Sequence, residues 1–156
     1  MFQKAVPFER RYRRELSATG DLDAAPTSVV LVVTNERDRG LGIPLPAGST
    51  ALYAPRQGQQ LLVGLGAIGD RTTGEKVRLS AGTSTQVTVA QRTLGGRTVQ
   101  VTARNANPYP VTLDLPIGIA GQEITTNDPA AVVTDGILTW SPVLPAQGEA
   151  SLEYRF

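Results

Sequence analysis

Two close pairs of carboxylates, Asp21 with Asp23 and Glu36 with Asp38, are the groups in this chain that could do acid–base chemistry. Glycoside hydrolysis needs only two acids, one to protonate the leaving group and one to act as base or nucleophile. Both pairs, however, fall in segments that read as loops, interleaved with polar or basic residues, and neither has a second acid placed opposite it by any pattern. Hydrolysis by paired acids therefore stands as a lesser alternative. A calcium site using Asp21, Asp23 or Asp128 would need more than scattered acids, and no D-x-[DN]-x-[DN]-G loop occurs. A Ser or Thr nucleophile would have to take Lys4, Lys76 or an acid as its base, and neither G-x-S-x-G nor S-x-x-K is present. The 156 residues contain no Cys and no His. That excludes disulfides, thiolate nucleophiles, imidazole bases and the usual N/S-ligated zinc or copper centres. The expectation is a protein without catalytic residues, cofactor or metal.

Binding chemistry offers a little more. Residues 1–16 carry Lys4, Arg10, Arg11, Arg13 and Arg14 against Glu9 and Glu15, a net +3, while the remaining 140 residues sum to −2. No basic field covers the body of the chain, so nucleic acid is not an expected partner. Arg10, Tyr12 and Arg14 form a candidate interaction surface, with a solvated charged face as the plain alternative. Trp140, the only Trp, joins them as a candidate contact. A carbohydrate-binding reading would stack a sugar on Trp140 with Tyr53 or Tyr109, whereas the plain reading of a lone Trp is core packing. At 5% aromatic residues the chain is too poor for an extended stacking platform.

The segment TNERDRGLGIPLPAGSTALY (residues 34–53) is the densest local pattern. Asn35 ends a strand, Gly40 and Gly42 give two flexible backbone points, and Pro44 and Pro46 hold an extended stretch lacking two N–H donors. Gly48 then turns the chain into the next strand. This reads as a rigid ordered crossover, and no helix follows the glycines as a phosphate cradle would require.

The elements that must position these residues are strands. Gly (16) and Pro (11) punctuate short Val-, Thr- and Leu-rich segments throughout. SVVLVVT (28–34) is a continuous apolar run suited to a covered strand. RTVQVTAR (97–104) alternates, with Val99, Val101 and Ala103 on one face. The same period recurs in Val77 and Leu79, Val87 and Val89, Val111 to Ile117, and Leu152 to Phe156. Gly58, Gly74, Gly95-Gly96 and Asp135-Gly136 mark the turns between them. Eight to ten strands follow, in an all-β antiparallel β-sandwich, with a closed barrel as second choice. Phe8, Tyr12 and Leu16 satisfy a helix face and a strand face equally; as a strand, the segment would lie at a sheet edge with Arg10 and Arg14 discouraging further pairing. Residues 17–27 read as loop. The organisation is a basic segment and loop over 1–27 and one β-sandwich domain over 28–156.

NERDRGLGIPLPAGSTALY, LLVGLGAIGDRTTGEKVRL and TQVTV, followed by VTARNANPYPVTLDL and ILTWSPVLPAQGEASLEYRF, occur in that order. Over residues 28–156 the chain thereby resembles the C-terminal β-rich domain of bacterial mucoidy-inhibitor-A-like proteins, a domain of unknown function. The resemblance implies an immunoglobulin-like sandwich and a longer exported or periplasmic parent with an N-terminal domain and a helical segment, of which this chain would be an excised domain or a short member. It supplies no catalytic residues. The function expected is a non-catalytic structural or interaction module of an envelope-associated bacterial protein, whose partner is another protein or another domain of the parent. No stretch approaches the roughly 18 apolar residues of a membrane-spanning helix.

Overall fold

A computed structural model describes residues 5–156 of the chain. Lys4, named above as a possible base and as part of the basic segment, lies outside the described residues. The protein is all-β. Its strands are β1 (Glu9–Arg13), β2 (Leu22–Thr34), β3 (Gly48–Arg56), β4 (Gln59–Ile68), β5 (Lys76–Gly95), β6 (Thr98–Asn105), β7 (Val111–Ile117), β8 (Ala131–Thr134), β9 (Ile137–Trp140), β10 (Val143–Leu144) and β11 (Glu149–Arg155), with one short 3₁₀ turn at Arg37–Arg39. β3 and β4 form a two-stranded sheet; the others follow the order β11-β6-β5-β2-β1-β7-β9-β8, with β10 on β7. Gln57 with Gly58 and Asp135 with Gly136 all take positive φ, the backbone that closes two-residue hairpins between β3 and β4 and between β8 and β9.

The chain divides into two compact units. Among the described residues the first comprises 5–11 and 29–82, the second 12–28 and 83–156. Alternation builds the second. Val87 and Val89 on β5, Val99, Val101 and Ala103 on β6, and Leu113, Leu115 and Ile117 on β7 are fully buried, and Leu144, Leu152, Tyr154 and Trp140 complete the core. Each such aliphatic side chain contributes roughly 1.5–3 kcal/mol by leaving water. The first unit has a smaller core of Leu31, Val33 and Val77, with the buried carboxamide of Asn35 at the end of the same run.

Three expectations change here. The ambiguous segment is a strand, β1, but it lies between β2 and β7 in the sheet order and is no edge. Tyr12 and Leu16 are buried on its apolar parity, and that burial fixes it in an interior position. Residues 22–27, read as loop, begin the 13-residue β2. Their small and acidic types are poor strand formers. Tertiary contact overrides them: Ala25 and Thr27 are buried, and the Thr27 hydroxyl donates to the Val87 carbonyl at 2.9 Å. Gly48 makes no turn; it opens β3 in register with Ile68 and without a positive φ.

Candidate functional site

Asn35 is the hub of the first unit. Its Nδ2 donates to the carbonyls of Ile43 (2.8 Å) and Thr72 (3.0 Å), and its Oδ1 accepts from the Gly42 N–H at 2.9 Å. Its own main chain binds Glu75 and Gly74. One buried side chain thus ties the 36–46 crossover to the 70–75 loop, and every polar atom of the amide has a partner. Gly40 and Gly42 are at positive φ, as the sequence suggested. At Gly42 a Cβ would lie 2.6 Å from the Arg37 Cα, so only Gly closes this loop. Pro44 and Pro46 flank Leu45, whose N–H and carbonyl both pair with Arg71 at 2.9 Å.

The crossover delivers the chain into the β3–β4 ribbon, and register decides what that ribbon shows. Ser49 pairs with Ala67, Ala51 with Leu65, Tyr53 with Leu62 and Pro55 with Gln60, and directly opposed residues share a face. On the other face Leu52 opposes Gly64. A Cβ on Gly64 would overlap the Ser80 carbonyl oxygen of β5, so this inner face is held against β5. The outer face is left open: Leu65 is 68% exposed, Tyr53 54% and Leu62 50%. Val63 is the extra residue at a register shift, a β-bulge that puts Leu62 and Leu65 on one side. Within residues 40–69, thirty residues, Arg56 is the only charged group. An apolar sheet face without charge is what a docking surface looks like.

The other candidates from the sequence go to different places. Trp140 is 1% exposed, with Nε1 donating to Asp128 at 3.2 Å, so its ring has no face to offer a ligand. Tyr12 is buried too. Arg10 is exposed, whereas Arg14 is half-buried and donates from NH1 to the Pro26 carbonyl at 2.7 Å. The proposed surface of Arg10, Tyr12, Arg14 and Trp140 is therefore not one surface. Tyr53 and Tyr109 are exposed but belong to different units.

The acids serve as local ties. Asp21 accepts from the Thr93 N–H at 2.8 Å, which holds its carboxyl below the usual range, and Asp23 pairs with Arg92. Glu36 pairs with Arg39 at 3.2 Å. Asp128 is engaged by Trp140 and by the Ala130 N–H. Among the described residues no cluster of three or more acids, His or Cys could hold a metal ion. An open cleft of about 370 Å³ in the second unit is lined by Thr98, Thr125, Thr126, Asn127, Glu153, Tyr154 and Arg155. Neither acid pair lies on it.

Sequence reasoning missed a second hub. Asn105, at the end of β6, donates from Nδ2 to the carbonyls of Tyr109 (2.8 Å) and Pro145 (3.0 Å), and its Oδ1 accepts from both nitrogens of Asn107. The signal was available: an Asn directly after an alternating strand and before a Pro-rich turn, the same context as Asn35. Tyr154 also holds a loop, its hydroxyl donating to the Ala18 carbonyl at 2.8 Å. Burial pushes that phenol up to about 12. A raised folded-state pKa means the stabilisation is complete below about pH 10 and is lost as pH rises toward 12. Alkaline titration of folding stability should show a loss on the order of 2 kcal/mol at most over that window, less where solvent screens the phenolate, and Tyr154→Phe should remove this dependence. An unchanged alkaline slope in the variant would show that another group is responsible.

No family model matches the chain, and no curated protein matches it significantly. Among solved structures, the NMR structure of the folded domain of LppM from Mycobacterium tuberculosis aligns over 99% of this chain and 92% of its own, with 12% identity and a TM-score of 0.31. At that level neither fold nor function transfers, and the all-β assignment stands on the hydrogen-bonded ladders themselves. Among the described residues no helix is long and apolar enough to cross a membrane.

Proposed function

We propose that this protein is a non-catalytic β-domain that acts as a docking module of an envelope-associated bacterial protein. The observation that carries the docking role is the outer face of β3–β4, where Tyr53, Leu62 and Leu65 stand exposed with no charged residue among them. The non-catalytic part is supported by a sequence without His or Cys and by acids already engaged in local hydrogen bonds and ion pairs. Envelope association, an exported longer parent and an immunoglobulin-like sandwich rest on the resemblance of residues 28–156 to the mucoidy-inhibitor-A-like domain. The sugar-stacking alternative loses its main residue to the core, since Trp140 is buried.

A face kept for docking is dispensable to its own fold. Leu62→Gln with Leu65→Gln should change unfolding free energy by no more than about 0.5 kcal/mol, as exposed substitutions do, while clearly weakening binding of a fluorescent dye that reports exposed apolar surface. Chemical denaturation and dye titration measure both. Destabilisation beyond about 2 kcal/mol would place these side chains in the fold's own packing and remove the proposal.

A further inference from the structure

We infer that the occupant of the β3–β4 face is the surface of an anionic lipid bilayer, an inference that rests on the docking reading above and names its partner. Three observations converge. First, the footprint is small. Two strands about 4.8 Å apart, carrying the face over about seven residues at about 3.3 Å each, present a strip roughly 10 Å by 20 Å. A stable protein–protein contact covers about 800 Å² on each partner. A bilayer needs no matching shape, and binding to it scales with the apolar area inserted plus attraction to anionic headgroups.

Second, the chemistry of the strip is interfacial. Leucines and alanines can enter the acyl boundary, Tyr53 brings an aromatic body with a polar end, and Arg56, opposed to Gln59 and of the other face's parity, stands exposed at the tip of the ribbon beside the Gln57-Gly58 turn, where its long side chain reaches toward headgroups. No acid occurs from residue 40 to residue 69 to oppose a phosphate. Third, charge is divided between the units. Among the described residues, the one that carries the strip holds eight Lys and Arg against five Asp and Glu, a net +3, while the other holds six against nine, a net −3. A chain whose overall charge is only +1 thus carries a net positive charge on the unit that holds the β3–β4 face. An anionic surface attracts that unit. The face lies on the interface rather than through it, because the outer backbone groups of a two-stranded ribbon keep their hydrogen bonds only near water.

Co-sedimentation of the full chain with vesicles tests this, using phosphatidylcholine alone and phosphatidylcholine mixed with phosphatidylglycerol. The expected result is binding to the mixed vesicles that weakens with added salt. Losing one buried leucine from the lipid should lower partitioning about tenfold or more in Leu65→Glu. Arg56→Glu should lower it severalfold, and Val133→Glu, an exposed position in the other unit, should leave it unchanged. Circular dichroism of each variant establishes that it is folded, and Leu65→Gln supplies an uncharged substitute should Leu65→Glu fail to fold. Absence of binding to either vesicle, or binding that the Leu65 variants leave intact, overturns the inference. If vesicle binding is absent while the apolar dye still binds and the double Gln variant stays stable, the lipid partner falls and the docking reading stands. If the dye does not bind either, both fall. A dimer in sedimentation velocity that Leu65→Glu dissolves, without vesicle binding, also overturns the lipid partner and assigns the face to a second copy.

Discussion

Trp140→Ala is expected to cost about 3–5 kcal/mol of folding stability, the range for removing a large aromatic from a core. The ring is 1% exposed at the end of β9, opposite Leu115 on one side and Ala131 on the other. Its loss opens a cavity in the buried layer beside Leu115 and leaves Asp128 without the Nε1–H that it accepts. Urea denaturation gives the number directly. Because the chain has a single Trp, the wild-type protein offers a second readout: its emission should be blue-shifted and insensitive to an aqueous quencher, and should stay so in the presence of oligosaccharides. A cost under about 1 kcal/mol, or ready quenching, would mean that the ring is at the surface and would restore the sugar-stacking reading.

Asn35→Ala is the second large effect. Removing the carboxamide leaves the Ile43 and Thr72 carbonyls and the Gly42 N–H without the partner that unites them. At about 1–3 kcal/mol for each buried group left unpaired, partly recovered by water at the loop edge, the expected loss is on the order of 3 kcal/mol. Hydrogen exchange at Gly42 should accelerate with it. Asn35→Asp should be worse at neutral pH, since a buried carboxylate would face two carbonyl oxygens. Burial raises the folded-state pKa of such a carboxyl, so this variant should be most stable in acid and lose stability as pH rises through that value. Equal stability of the wild type and both substituted proteins would remove the hub from the account of this loop.

Much of the fold was legible because its strands advertise themselves by parity. Val99, Val101 and Ala103, and Val111 through Ile117, are buried on the face that their alternation marked. The hairpins at Gly58 and Gly136 follow from residues that tolerate positive φ. Asn35 with its two glycines could be singled out for the same local reason, although what its amide grips, thirty-seven residues away at Thr72, is not a local matter. Residues 22–27 read as loop because their types favour turns, and only burial against β5 makes them strand.

The sequence alone therefore determined the all-β class, the hairpin turns at Gly58 and Gly136, the absence of His and Cys, and the single charge in the run from residue 40 to 69. Those properties live in residue types and a two-residue period, which act over a few neighbours. The tertiary structure decided which face is which. Strict alternation would set Leu61, Val63 and Leu65 on one side of β4, but the bulge at Val63 moves Leu62 beside Leu65, and Gly64 on the other face comes close to the Ser80 carbonyl. It likewise took Tyr12 and Trp140 inside. Register and burial are set by contacts between segments far apart in the chain, and a period of two cannot say which of two faces another segment will cover.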